Sequence, residues 1–189
     1  PSVLDSYQYS MKITFSGYDK PETLTNFAAL VSFSESGTNG FLYSQLKSTG
    51  LDLRFVDVFT NELNYEIESW DTNGTSHVWI QVPQFTNNCS IWAYWGNSNA
   101  VFASYTTNGS VWESDFRGVW HMTEVNAEDS TSFRNNGTNG GNVNGNGKIG
   151  TGQYFNSQYI TVDNAGNFTM RSNIAVSVWV KVDGGWINS

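Results

Sequence analysis

The chain has 189 residues, of which 14% are charged and 15% are aromatic, and its formal net charge at pH 7 is −8. The acidic balance disfavours nucleic acids and anionic membranes as partners, because both are bound through basic surfaces. No apolar run approaches the roughly 20 residues needed to cross a bilayer, so membrane insertion is not expected. Solubility that rests on amides and hydroxyls is typical of secreted β-proteins, and we expect an extracellular or cell-surface location.

Six segments before residue 97 have the composition or the two-residue periodicity of β-strands. The clearest is residues 7–15, where apolar and polar side chains alternate strictly. The others are residues 27–33, 53–59, both arms of a hairpin at 63–83, and 89–95, while residues 41–46 are compatible with one helical turn. Short strands with almost no helical periodicity predict an all-β fold, specifically an antiparallel β-sandwich.

The predicted hairpin carries the most informative pattern. Asn73-Gly74 predicts a two-residue type I′ turn, because both central residues of that turn need a positive φ. Counting outward from this turn places six residues on the core face: Tyr65, Ile67, Ser69, Val78, Ile80 and Val82. On the outer face the same register pairs Glu66 with Gln81, Glu68 with Trp79, and Trp70 with His77.

The outer hairpin face has the side chains that bind sugars. An aromatic ring packs on the apolar C–H face of a pyranose, while carboxylates and amides hydrogen-bond its hydroxyls. We therefore predict a ligand-binding site for glycans at Trp70, Trp79, Glu66, Glu68, His77 and Gln81. The alternative is that a second sheet or a neighbouring module covers this face and buries both indoles. Trp92 and Tyr94, which point outward from the last strand of this part, have the same two interpretations.

The charge balance changes near residue 116. Up to Asp115 the chain has twelve acidic and four basic residues, and beyond it five of each. Residues 97–114 are a polar connection rich in Ser, Thr and Asn, so we predict two domains, at 1–115 and 116–189. The second, at about 70 residues, is at the small end of the usual domain size and is expected to be incomplete.

The second domain contains weaker strand signals. Strands are predicted at residues 118–122, 153–155, 159–162 and 174–182, and the Asn- and Gly-rich stretch 135–152 is predicted as loop. In the last strand the alternation predicts an inward row of apolar residues: Ile174, Val176, Val178, Val180 and Val182.

These segments resemble two known families. The blocks Tyr9-x-x-Lys12-Ile13-Thr14, LDLRF at 51–55, YEIESW at 65–70, VWIQVP at 78–83 and IWAYWGN at 91–97 resemble the DUF2341 family over about residues 5–105. The blocks GVWHM at 118–122, DST at 129–131, NNGT at 135–138, GKIG at 147–150, YF at 154–155 and VWVK at 178–181 resemble the front part of a concanavalin A-like, laminin G type jelly roll. The first family has no settled activity, and the second implies binding of glycans or proteins and sometimes calcium.

No catalytic site, cofactor or metal site is predicted. A glycosidase needs two carboxylates roughly 5 to 9.5 Å apart across a cleft, whereas Glu66 and Glu68 lie on one strand with no second wall. The histidines, His77 and His121, are isolated and Cys89 is a lone cysteine, which excludes a recognisable zinc pattern. Asp129, Asn135 and Asn136 have oxygen donors for calcium, but such residues are more typical of turns.

The sequence therefore predicts an extracellular, non-catalytic adhesion or carbohydrate-binding module of a larger surface protein, with a glycan or a surface protein as partner. The competing interpretation is a structural surface or filament subunit, completed by strand exchange with a neighbouring chain, which predicts a homo-oligomer formed through edge-strand pairing. Five glycosylation sequons permit a glycoprotein and begin at Asn73, Asn88, Asn108, Asn136 and Asn167.

Overall fold

The computed structural model describes residues 3–163, Phe168 and residues 173–182. It confirms the predicted all-β fold, since every strand pair in these residues is antiparallel. The first part of the chain contains β1 (Tyr9–Thr14), β2 (Leu24–Phe33), β3 (Arg54–Val56), β4 (Tyr65–Ser69), β5 (Ser76–Phe85) and β6 (Ser90–Trp95). These strands form two three-stranded sheets, ordered β1-β6-β3 and β2-β5-β4, which face each other as a sandwich.

One hydrophobic core lies between the two sheets, and alternate residues of each sheet enter it. The inward residues of β5 and β6 are at most 3% exposed: Val78, Ile80, Val82, Ile91, Ala93 and Trp95. Phe41 and Leu53 from the connection between β2 and β3 complete the core. The inward faces predicted for these strands are thus confirmed, and a 3₁₀ turn at Tyr43–Gln45 lies within the predicted helical segment.

The turn and the register of the β4–β5 hairpin differ from the prediction. Neither Asn73 nor Gly74 has a positive φ, so the type I′ turn is wrong. Instead, Asp71 organises the turn: its carboxylate accepts the Asn73 N–H at 2.9 Å and its carbonyl accepts the Gly74 N–H at 3.3 Å. This Asx arrangement competes with a tight two-residue turn. The strands consequently pair Glu66 with Trp79, a shift of two residues that leaves both of these side chains on their predicted outer face.

A β-bulge between Ile67 and Ser69 changes the faces at the end of β4. One extra residue on a strand sends the side chains after it to the opposite face. Ser69, predicted inward, bonds the outward His77 at Nδ1 over 3.0 Å. Trp70, predicted outward, packs against the core, with its ring 5.4 Å from that of Tyr43. The assignment of Trp70 to the outer face is therefore wrong.

Beyond residue 115 the described strands are short. They are β7 (Thr138–Asn139), β8 (Val143–Asn146), β9 (Thr151–Tyr154) and β10 (Ile160–Thr161), and they pair as β7 with β10 and β8 with β9. The strand predicted at 118–122 is reduced to one bridge, between Trp120 and Asp129. The predicted loop 135–152 contains β7, β8 and the start of β9. Its glycines allow close packing, since a Cβ on Gly147 would lie 2.5 Å from the Thr151 carbonyl oxygen.

Residues 174–182 have no strand assignment in the described part of the chain. The apolar row predicted to face inward is exposed there, with Ile174 at 62%, Val178 at 69% and Val182 at 54%. The predicted burial of this row is therefore wrong for the described residues. No helix among the described residues is long and apolar enough to cross a membrane.

Candidate functional site: the covered hairpin face

Five of the six residues predicted to bind a ligand lie together on the outward side of β4 and β5. β4 contributes Glu66 and Glu68, and β5 contributes His77, Trp79 and Gln81. Alternation within each strand places these side chains away from the core, whose side of the hairpin carries Tyr65, Val78 and Ile80. The sixth residue, Trp70, lies on the core side for the reason given above.

The chain's own residues 111–130 cover this outer face. Trp112 donates from Nε1 to Glu66 Oε2 at 2.8 Å, and Ser130 donates from Oγ to Glu66 Oε1 at 2.5 Å. Gln81 donates its amide to the Val111 carbonyl at 3.2 Å. The face is thus occupied by a neighbouring segment, which is the alternative raised by the sequence.

His121 lies at the centre of the covered face, between the two carboxylates. Its Nε2 is 3.2 Å from Glu66 Oε1 and its Nδ1 is 3.3 Å from Glu68 Oε2. The imidazole also stacks on Trp79, with ring centroids 6.2 Å apart, and Trp79 Nε1 donates to Glu68 Oε2 at 2.5 Å. The side chains of His121, Glu66 and Glu68 are only 12%, 16% and 3% exposed. We refer to these three residues as the Glu–His–Glu cluster.

The cluster holds a proton on His121. Burial alone would lower the pKa of the imidazole, but the hydrogen bonds and negative charges of Glu66 and Glu68 raise it to about 9. Burial likewise opposes ionisation of Glu66, yet hydrogen bonds from His121, Ser130 and Trp112 hold the pKa of this carboxyl below its ordinary value. At neutral pH the cluster therefore contains an imidazolium flanked by carboxylates.

A cavity of about 130 Å³ adjoins the cluster and is also lined by Glu124, Glu128 and Ser130. Small-molecule sites usually measure roughly 300 to 1,000 Å³. The stacking surfaces of Trp79 and Trp112 are already in contact with the His121 ring. The covered face consequently has no room for a sugar ring stacked on an indole.

The protonation states of the cluster bear on its chemistry. A carboxyl that acts as a general acid near neutral pH needs a raised pKa, and a histidine that acts as a base must be neutral. Here the pKa of Glu66 is lowered and that of His121 is raised. The geometry is that of an ion-paired joint that fixes residues 111–130 on the sheet.

The buried acidic residues of the chain serve local structure in the described part of the molecule. Among the described residues no group of three or more His, Cys, Asp and Glu side chains is placed to hold a metal ion. Asp129, one of the three residues with donors suited to calcium, is fully buried and its carboxylate accepts the N–H groups of Val119, Thr131 and Asn135. This carboxylate organises the local turn.

Three residues that bond Glu66 are not among the site residues predicted from the sequence: His121, Trp112 and Ser130. His121 is 55 residues from Glu66 along the chain, and local periodicity cannot reveal such a contact. One signal was available, because two carboxylates on a single strand face require a cationic or hydrogen-bonding partner once that face is covered.

Comparison with known proteins gives one result for this region. Residues 49–123 match the model of DUF2341, a domain of unknown function. The matched segment begins before β3, includes the whole Glu–His–Glu cluster and extends past residue 115, where the sequence predicts a domain boundary. No curated protein and no solved structure matches the chain. Over residues 49–123 the chain is therefore similar to the DUF2341 family, as its sequence blocks predicted for this part.

Proposed function

We propose that this chain is a non-catalytic adhesion or carbohydrate-binding module of a larger extracellular or cell-surface protein. The observation that carries the proposal is the state of the Glu–His–Glu cluster. Its carboxylates accept hydrogen bonds from Trp79, Trp112 and Ser130 as well as from His121, so the groups best suited to acid–base chemistry are used for internal structure.

Binding of carbohydrate is supported by the surface of the sandwich. Only 14% of the residues are charged, and aromatic rings are exposed on the first sheet, with Tyr9 at 37% and Trp92 at 36%. Such rings stack on the apolar faces of sugars, while a weakly charged surface does not select for ionic partners. The resemblance of residues 116–189 to a concanavalin A-like, laminin G type domain belongs to the same proposal, since that family mostly binds glycans or proteins.

The test combines binding with a search for hydrolysis. The purified chain is applied to a glycan array and to insoluble cellulose, chitin and xylan, and the supernatants are assayed for new reducing ends. We expect retention on at least one glycan without release of reducing sugar. Release that disappears in Glu66→Gln but persists in the surface variant Asp115→Asn would contradict the proposal.

A second candidate function is a structural subunit assembled by strand exchange, and the exposed apolar row of residues 174–182 favours it. A segment with a β-branched residue at every second position, and with no strand partner among the described residues, is a template for edge pairing with another chain. Light scattering coupled to size exclusion at several concentrations separates the candidates. Strand exchange predicts oligomers that Val178→Lys dissociates and the matched Ser177→Lys does not, whereas a binding module alone predicts a monomer throughout.

A further inference from the structure

A groove of about 530 Å³ lies at one end of the sandwich. Three parts of the chain form it: the start of β1, the connection between β2 and β3, and the residues that follow β6. Its volume falls within the roughly 300 to 1,000 Å³ of small-molecule sites. This groove is separate from the covered hairpin face and shares none of its lining residues.

Tyr9 provides an aromatic surface in the groove. Its ring stacks on the buried ring of Trp95, with centroids 6.0 Å apart and planes inclined by 17°. Gly96 has φ +86°, and a Cβ at this position would lie 2.6 Å from Tyr9 Cδ2, so the backbone contacts the ring closely. The ring is thus held in place while 37% of the residue stays exposed. A ring that is already ordered loses little conformational entropy when a ligand stacks on it.

Polar groups with free hydrogen-bonding capacity line the groove together with this ring. The side chains of Gln8, Ser44 and Ser98 line the groove and have no hydrogen-bond partner among the described residues. Gln45 accepts the indole N–H of Trp95 at 3.0 Å, which orients its amide and leaves the amide N–H groups available. Amides and hydroxyls both donate and accept, as recognition of sugar hydroxyls requires.

The two charged side chains of the groove, Asp52 and Lys47, are opposite in sign, and each is hydrogen-bonded to the backbone. Asp52, which is 1% exposed, accepts the backbone N–H groups of Lys47, Gly96 and Asn97 at 2.7, 2.8 and 3.2 Å. It thereby ties together two walls of the groove. The Lys47 ammonium donates to the Ala100 carbonyl at 2.9 Å. Because the lining carries one positive and one negative group and no excess of either sign, the groove suits an uncharged ligand rather than a phosphate or an acidic peptide.

From this combination we propose that the groove binds a neutral saccharide, with Tyr9 as the stacking platform and Gln8, Ser44, Gln45 and Ser98 as the hydrogen-bonding groups. Leu42, which is 44% exposed at the rim, adds apolar surface for sugar C–H groups. The inference rests on the proposed carbohydrate-binding function and assigns it a site.

The test uses the full chain and four neutral probes, the hexaoses of cellulose, chitin, xylan and mannan, measured by calorimetric titration alongside the glycan array. Tyr9→Ala is expected to weaken binding by about tenfold or more, which corresponds to the loss of one stacking contact. Ser98→Arg is expected to abolish it by filling the groove from an exposed position. Phe59→Ala removes an exposed ring from the turn after β3 that does not line the groove, and it is expected to leave affinity within about twofold.

The outcomes separate the site from the function. Binding that is lost in Tyr9→Ala and Ser98→Arg but kept in Phe59→Ala supports the groove, provided that the thermal unfolding of Ser98→Arg matches the parent chain. Binding that survives Tyr9→Ala and Ser98→Arg overturns the groove and leaves the carbohydrate-binding function standing. Absence of binding to every hexaose and array glycan overturns both.

Discussion

The covered hairpin face and the end groove have similar chemistry but opposite states. Both combine aromatic rings with amides or hydroxyls, the composition that suits a sugar. On the hairpin face, the single carboxylate of Glu66 is hydrogen-bonded to three other side chains. In the groove, three polar side chains have no hydrogen-bond partner among the described residues: Gln8, Ser44 and Ser98. Residue type therefore identifies a polar aromatic surface but not what covers it. On the hairpin the occupant is the chain itself.

Removal of the Glu66 carboxylate should give the largest effect if the hairpin face is an internal joint. Glu66→Ala leaves the buried His121 imidazolium with one of its two carboxylate partners and deprives Trp112 and Ser130 of their acceptor. We expect the free energy of unfolding in urea to fall by about 3 to 5 kcal/mol. Asp115→Ala removes an exposed carboxylate from the covering segment 111–130 and should change it by less than about 0.5 kcal/mol. Similar small losses in both variants would show that the face is not a joint.

The pH dependence of stability tests the protonated histidine. The pKa of His121 is raised in the folded chain, so its contribution is complete below the ordinary value of 6.5 and is lost as pH rises through about 9. We expect a loss on the order of 3 kcal/mol between pH 6.5 and pH 10. Glu66 acts in the opposite direction, because its lowered pKa makes its contribution disappear as pH falls below 4.5.

His121→Gln is the control for the alkaline transition. This variant has no imidazole to titrate, so chemical unfolding between pH 6.5 and pH 10 should show a flatter profile than the parent chain. Parallel profiles would contradict a protonated His121 and would leave tyrosine and lysine titration as the source of the slope.

A smaller effect is expected from glycine substitutions that probe the groove. Gly96→Ala combines the cost of a positive φ with a clash between the new Cβ and the Tyr9 ring. Gly17→Ala has a similar backbone cost, at φ +90°, but its Cβ would have no atom within 4 Å. We expect Gly17→Ala to lose about 1 kcal/mol of unfolding free energy and Gly96→Ala to lose about twice that. Equal losses would show that Gly96 does not fix the ring of Tyr9.

The strands of the sandwich were predictable because apolar and polar side chains alternate along them, and the apolar ones are buried. β5 and β6 have their predicted inward faces, and the shift in hairpin register preserved the faces of Glu66 and Trp79. The bulge was not predictable, since it depends on the Asp71 turn and on how the end of β4 meets β5. The position of Trp70 followed from it.

The cluster was harder to predict than the strands. Its carboxylates were identified from the sequence, but His121 reaches them only because residues 111–130 return across the sheet. That return depends on long-range packing, which composition and periodicity do not encode. The Asn- and Gly-rich segment 135–152 illustrates the opposite difficulty, because its strands are formed by backbone groups that approach closely where side chains are small.

The hydrogen bonds of Ser130 and His121 to Glu66 determine how long a chain must be for the sandwich to fold. A polypeptide cut after residue 115 would keep both carboxylates of β4 but lose the imidazolium and the serine hydroxyl that neutralise and bond them. We therefore expect the sandwich to unfold cooperatively only in chains that extend to Ser130 or beyond. For this protein the smallest independently folding piece is better defined by the partners of one glutamate than by the change in charge along the sequence.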